Sequence, residues 1–128
     1  MEFVRCYTFL PARYWFFIEN DLSNSDLDVN CKNSNLMLNL GTQHVPRKSN
    51  FNYTFVSSFF SSYLILCYLT WSNNPKEQVQ LEAFQSTKYF IDHDCGGRHC
   101  FWKVVDDGIH LYNLKQKKYN KWGDWRRK

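Results

Sequence analysis

The chain has 128 residues, of which 44% are hydrophobic and 22% are charged, enough for one globular domain with a core and too few for two. Aromatic residues make up 19% and alanine occurs only at Ala12 and Ala83, which argues against an all-helical bundle and favours strands. The net charge of +4 is an average, because residues 1–114 carry 9 basic and 11 acidic residues (−2) and residues 115–128 carry +6.

Residues 1–13 are an N-terminal segment in which Arg5 and Arg13 flank a short apolar stretch interrupted by proline. No clear hydrophobic core with a small-residue cleavage site follows, so we expect the signal peptide of a secreted protein to be absent from this chain. We expect the segment to be a remnant or an artificial addition.

The first two predicted strands lie on either side of a polar turn. Tyr14 to Asn20 is a continuous aromatic and aliphatic run, and Leu27 to Lys32 alternates between apolar and polar residues, as a strand with one wet face does. The short polar side chains of residues 20–25 favour a turn, so we expect a hairpin with a longer loop.

The middle of the chain contains three further strands. Leu36 to Leu40 is expected to end at Gly41, and Phe51 to Val56 places its aromatic residues on one face. After a serine-rich loop at residues 57–62, Tyr63 to Trp71 is the most apolar segment. We expect it to be a central strand packed on both faces, and it is too short for a membrane-spanning helix, which needs roughly 20 residues.

The last part of the predicted domain is again strand-like. Gln78 to Ala83 alternates, and Phe101 to Val105 forms a hairpin with Ile109 to Tyr112 through an Asp-Gly turn. The total is about eight short strands, which predicts an all-β, two-sheet antiparallel β-sandwich at residues 14–114. A basic, aromatic tail follows at residues 115–128.

Five cysteines in so short a chain indicate an oxidising compartment and therefore a secreted, disulfide-bonded protein. They are Cys6, Cys31, Cys67, Cys95 and Cys100. Four cysteines allow three pairings, among which the sequence does not choose. Anchoring of the 95–100 loop to the core favours Cys31 with Cys100 and Cys67 with Cys95, which leaves Cys6 over.

Two chemical alternatives concern the same loop. His93, Cys95, His99 and Cys100 could together hold a zinc ion, although their spacing is not a familiar one. A cysteine beside a histidine could act as a nucleophile, and the pairs Asp92 with Asp94 and Asp106 with Asp107 as acid and base. No phosphate loop or hydrolase elbow supports these alternatives, so we expect no enzyme, no metal and no cofactor.

The tail mixes cations with Tyr119, Trp122 and Trp125, a combination that can bind nucleic acid or an anionic membrane surface. A secreted cationic defence or binding protein is therefore the alternative function. A solvated end that is partly packed as an edge strand is the simpler interpretation. The chain's only Asn-x-Ser/Thr sequence makes Asn52 a candidate glycosylation site if the protein is secreted.

The order of these motifs resembles the plant self-incompatibility protein family, also called S-protein homologues, from about Trp15 to Tyr112. The resemblance rests on residues 18–22, on Leu27-Asp28-Val29-Asn30-Cys31-Lys32, on Leu66-Cys67-Tyr68-Leu69-Thr70-Trp71, and on residues 95–104 with 107–109. The polar turn at residues 20–25 and the basic tail are similar to those of the stigmatic members from poppy.

The resemblance implies a small secreted β-sandwich without enzymatic activity, held by Cys31, Cys67, Cys95 and Cys100. It implies a signalling ligand that a membrane protein on pollen recognises in order to reject self pollen. We expect a monomer that neither binds nucleic acid nor inserts into membranes. Because a sandwich places specificity in its loops, the candidate receptor-binding residues are Asp92, His93, Asp94, Arg98 and His99, with a second patch at Asp21, Ser23 and Asn24.

Overall fold

The computed structural model describes residues 12–33, 38–57, 64–87 and 89–127, which form ten strands and one helical turn. The strands are β1 (Ala12–Asn20), β2 (Leu27–Asn33), β3 (Leu38–Val45), β4 (Asn50–Ser57), β5 (Leu64–Trp71), β6 (Asn74–Gln85), β7 (His99–Val105), β8 (Gly108–Asn113), β9 (Lys118–Gly123) and β10 (Arg126–Arg127). A π-helical turn, Phe90–Cys95, lies between β6 and β7. The predicted all-β class is confirmed, and Cys6 lies outside the described residues.

The strands form two five-stranded sheets. The first sheet has the order β4-β1-β7-β8-β9, and the second has the order β10-β6-β5-β2-β3. All neighbours are antiparallel except β1 and β7, which are parallel. No helix in the described part of the chain is long and apolar enough to cross a membrane.

The core lies between the sheets and is built from alternate residues of the strands. In β2, Leu27, Val29 and Cys31 are buried, as the alternation predicts. Trp102 of β7 is the largest fully buried side chain, and its indole N–H donates to the carbonyl oxygen of Ala83 at 3.0 Å. A buried indole needs such a partner, so this bond joins the first sheet to the second.

The predicted hairpin between the first two strands is wrong, because β1 and β2 belong to different sheets. Each already has two other neighbours, which are β4 and β7 for β1, and β3 and β5 for β2. The buried side chain of Asn20 supports the crossing, since its Nδ2 donates to the carbonyl oxygens of Ser25 and Val45 and its Oδ1 accepts from the N–H of Leu22. An Asx-type turn thus redirects the chain.

Two strand predictions need correction. β5 is central in the second sheet, but it is packed on one face only: Ile65, Cys67 and Leu69 are buried, whereas Tyr68 on the opposite face is 40% exposed. No described element covers that opposite face. β3 continues through Gly41 instead of ending there, because the extra residue is accommodated as a bulge opposite β2.

The basic tail takes part in both sheets. β9 pairs with β8 along Lys118–Gly123, and β10 pairs with β6 through Arg126 and Arg127. Trp125, between them, packs against Trp71 and donates from its indole N–H to the carbonyl oxygen of Val105 at 2.8 Å. The strands of the sandwich therefore continue past residue 114.

The favoured disulfide pairing is wrong, because the bonds join Cys31 to Cys67 and Cys95 to Cys100. Cys31 and Cys67 lie directly opposite each other on neighbouring strands β2 and β5, with a Cα–Cα distance of 4.0 Å. Cys95 ends the helical turn and Cys100 lies in β7, so the second bond closes a local loop. A pairing across the sandwich would require cysteines from opposite sheets to meet.

Candidate functional site

The candidate residues lie at two opposite ends of the sandwich. β1 and β7 run parallel, so His99 at the start of β7 lies beside Trp15 near the start of β1, whereas Asp21 follows the end of β1 and donates its N–H to the carbonyl oxygen of Val104. We name the end with residues 86–87, 89–98 and 114–117 the disulfide end. The end with residues 21–26, 46–49, 72–73 and 106–107 is the cleft end. Strands rise about 3.3 Å per residue, so these ends are separated by the length of the strands.

The disulfide end is a docked loop. Gly96 has a φ of +77°, and a Cβ at this position would lie 2.9 Å from the backbone nitrogen of Lys115. The N–H of Leu114 donates to the carbonyl oxygen of Cys95, and Asn113 Nδ2 donates to the carbonyl oxygen of His93 at 2.6 Å. Bonds to the end of β8 and to the turn that follows it, together with the disulfide, therefore hold the loop in one conformation.

The predicted residues at this end do not all face solvent equally. Asp92, His93 and Arg98 are exposed, and Asp94 is half-buried beside His93, whose Nδ1 lies 3.1 Å from Asp94 Oδ1. The ring of His93 stacks on Tyr89, which is 65% exposed. An exposed tyrosine beside mixed charges is typical of residues that dominate protein interfaces, and the sequence analysis missed it.

His99 is tied into a row of rings on the outer face of the first sheet. It stacks on Trp15 with a centroid distance of 4.3 Å and an interplanar angle of 5°, and Phe17 stacks on Phe101 in the same way at 4.7 Å. These are cross-strand pairs of β1 and β7, which stabilise a sheet. These contacts give His99 a structural role in the first sheet.

The candidate residues at the cleft end are each held by another turn. Ser23 donates from its backbone N–H and its hydroxyl to the carboxylate of Asp106, and Lys48 Nζ lies 2.9 Å from Asp21 Oδ1. Asn73 Nδ2 donates to the carbonyl oxygen of Asn24 at 2.7 Å. The loop at residues 21–26 is thereby joined to three other loops in one rigid surface.

A shallow cleft of about 500 Å³ opens at this end. It is lined by Asp21, Lys103, Val105, Asp106, Asp107, His110 and Tyr119. Hydrogen bonds from Ser23 lower the pKa of Asp106, and the bond to His110 lowers the pKa of Asp107, so both carboxylates are ionised at neutral pH. The two carboxylates of the cleft can accept hydrogen bonds from a basic group. The cleft also contains a cation, since Nζ of Lys103 lies 4.5 Å from the ring centroid of Tyr119.

Neither chemical alternative is supported by the cysteines. Cys95 and Cys100 are bonded to each other, so the two thiols that a zinc site or a nucleophile would need are consumed. Among the described residues, no group of three or more His, Cys, Asp and Glu side chains is placed to hold a metal ion.

Asn52 lies on β4, with an exposed side chain whose Nδ2 donates to Asn50 Oδ1 at 3.2 Å. Its glycosylation stays a prediction.

The sequence analysis also missed a histidine held between two carboxylates. His44 of β3 lies 2.8 Å from Asp28 through Nδ1 and 3.0 Å from Asp26 through Nε2. Hydrogen bonds to Asp28 and then to Asp26 raise the pKa of His44, and the bond from His44 lowers the pKa of Asp26. All three side chains are exposed at the cleft end of the second sheet, so the cluster is a group of interacting charges on the surface.

We expect this cluster to stabilise the fold most between about pH 4 and 6.5. Because the pKa of His44 is raised by folding, this residue adds stability that is complete below its pKa in the unfolded chain, about 6.5. That stability is lost as the pH rises through the pKa of His44 in the folded protein. Because the pKa of Asp26 is lowered by folding, this residue adds stability that is present above its ordinary pKa of about 3.8. That stability is lost as the pH falls through the pKa of Asp26 in the folded protein.

The measurement is thermal unfolding of wild type and His44→Asn from pH 4 to 9, with a titration of His44 by NMR. The difference in Tm should be largest near pH 5 and shrink above pH 7. A difference that does not change with pH, or a His44 pKa at or below 6.5, would contradict the expectation.

Comparison with known proteins identifies a family and a solved structure with a similar fold. The family model described as plant self-incompatibility protein S1 matches residues 16–125. A solved structure described as that of SPH (Self-Incompatibility Protein Homologue) proteins, small and highly stable secreted proteins from plants, superposes with a TM-score of 0.64 at 18% identity. The alignment covers 89% of this chain and 95% of that one. Among curated proteins, none matches this chain.

Proposed function

Because this chain belongs to the plant self-incompatibility protein S1 family, we propose that it is a secreted signalling ligand that a membrane protein on the pollen surface recognises to inhibit self pollen. The protein acts by presenting a preformed surface, without a catalytic step. Secretion is supported by the two disulfides, which persist in oxidising compartments, and by the description of the solved neighbour's family as secreted plant proteins.

The observation that carries this proposal is the construction of the disulfide end. Its loop is fixed by the Cys95–Cys100 bond and by the side chain of Asn113, while Asp92, Arg98 and Tyr89 remain exposed. A surface that is already ordered loses little conformational entropy on binding. Its mixed charges set which partner is accepted and how fast it associates more than they set the affinity.

The basic tail does not call for a second function. Lys118 and Lys121 are exposed on β9, which is the edge of the first sheet, and Lys121 pairs with Asp124 at 2.7 Å. Lysines on an edge strand discourage pairing with other chains. The lysines of β9 are therefore explained by their position.

Two charge-exchange variants that both keep the net charge at +4 test which end is recognised. Asp92→Lys with Arg98→Glu reverses the disulfide end, and Asp21→Lys with Lys48→Asp reverses the ion pair at the cleft end. We expect the first variant to need at least about tenfold more protein to inhibit matching pollen, because interface energy is concentrated in few residues. The second should stay within about twofold of wild type.

The control is pollen of a non-matching genotype, with the folded state of each variant checked by its Tm. Equal growth of matching and non-matching pollen in wild-type protein would remove the self-incompatibility role. Loss of inhibition only in the second variant would move the recognised surface to the cleft end.

A further inference from the structure

The two sheets have four edges, and three of them carry features that discourage pairing with another strand. β9 has exposed lysines and an irregular register against β8, β3 has the bulge at Gly41, and β10 is two residues long. Bulges, charges and short strands are the usual means by which proteins protect sheet edges.

The outer edge of β4 has none of these features. Its register with β1 is regular from Glu19↔Asn50 to Ala12↔Ser57, and the strand contains no charged residue and no proline. Within the described residues, β1 is its sole strand neighbour. Asn50, Asn52 and Thr54 are exposed on the outer face, while Phe51 and Tyr53 remain half-buried on the inner face. The edge from Asn50 to Thr54 is therefore suited to strand addition.

We propose that the outer edge of β4 is a self-association edge, at which β4 of a second copy pairs antiparallel about a two-fold axis. Such pairing joins the first sheets of two molecules into one ten-stranded sheet.

A second copy fits this edge because the strand is complementary to itself. A two-fold axis perpendicular to the sheet places residues of the same face opposite one another, so inner aromatic residues such as Phe51 and Tyr53 meet inner aromatic residues. Aromatic cross-strand pairs are stabilising, and no like charges are brought together. β9 instead carries the exposed lysines Lys118 and Lys121, and charged side chains on an edge strand discourage pairing with another strand.

The association is weak, because one pair of strands buries less surface than the roughly 1,200 Å² of a standard interface. We expect a Kd of about 0.1–1 mM. At lower concentrations the protein is the monomer expected from its sequence.

The test uses the full unglycosylated chain from a bacterial host, with Cys6→Ser so that no intermolecular disulfide mimics a dimer. Sedimentation and NMR spectra are recorded from about 20 µM to 1 mM. The sedimentation coefficient should rise with concentration, and amide exchange at residues 50–54 should slow about twofold or more as the dimer becomes populated.

Asn52→Lys places two lysines near the axis and should raise the Kd at least about tenfold. Asn120→Lys on β9 adds the same charge at the other edge of the same sheet and should leave the Kd within about twofold. Spectra that superpose over the whole range would overturn the proposal. So would a dimer whose shifts lie outside β4, or an equal effect of the two variants.

Discussion

Removal of the Cys31–Cys67 bond in the double variant Cys31→Ala with Cys67→Ala is expected to lower the free energy of unfolding by about 4 kcal/mol. The bond joins residues 36 apart in the sequence, so it removes much of the freedom of the unfolded chain. Both cysteines are buried in neighbouring strands of the core. Natural domains are stable by about 5–15 kcal/mol, so this loss removes a large fraction of the stability.

The Cys95–Cys100 bond is the matched control. It joins residues 5 apart, and its removal by Cys95→Ala with Cys100→Ala should cost about 2 kcal/mol. The measurement is unfolding in guanidinium chloride, with the midpoint and the slope compared among the three proteins. Equal losses from the two double variants would show that the effect does not come from the length of the closed loop.

The second large effect is expected from Gly108→Ala, which should destabilise the protein by about 3 kcal/mol. Gly108 begins β8 with a φ of +150°, a conformation that side chains rarely adopt, and a Cβ there would overlap the carbonyl oxygen of Gly123 in β9. Because the obstacle is backbone, β9 must move away from β8 to relieve the overlap.

Gly123→Ala tests whether the close approach is the cause. A Cβ at position 123 meets no atom within 4 Å, so this variant should change the stability by less than about 0.5 kcal/mol. Chemical denaturation gives both values, and amide exchange at residues 118–123 reports the loss of β8–β9 pairing in Gly108→Ala. Similar losses in the two variants would contradict the explanation.

The features that sequence analysis identified correctly are local ones. The alternation of Leu27, Val29 and Cys31 marks the buried face of β2, and the Asp-Gly turn joins β7 to β8, because each depends only on neighbouring residues. Strand partners depend on distant residues. The same polar turn after Asn20 suits a hairpin or a crossing between sheets, and only the neighbours of β1 decide between them.

The disulfides and the outer face of β5 show the same limit. Cys31 pairs with Cys67 because β2 lies beside β5, which no local pattern reports. Apolar residues at Leu64, Leu66 and Tyr68 suggest burial, yet they lie on a face that no described element covers.

The sequence predicted which loops carry the candidate residues, but not which of those residues share one surface. The sequence analysis identified exposed positions such as Asp92, Arg98 and Ser23, whereas the parallel pairing of β1 and β7 places them at opposite ends. Tyr89 and the His44 cluster had no signal in the sequence, since each depends on a neighbour that the fold supplies.

The most direct test of the proposed ligand role is binding of labelled, folded protein to intact matching pollen. We expect the binding to be saturable and to be abolished by protease treatment of the pollen surface. Unlabelled wild type should displace the label, and so should the Asp21→Lys, Lys48→Asp variant. The Asp92→Lys, Arg98→Glu variant should displace it at least about tenfold less well. Binding that rises linearly with concentration, survives the protease and disappears in high salt would contradict a protein receptor, because such behaviour is typical of non-specific electrostatic attachment.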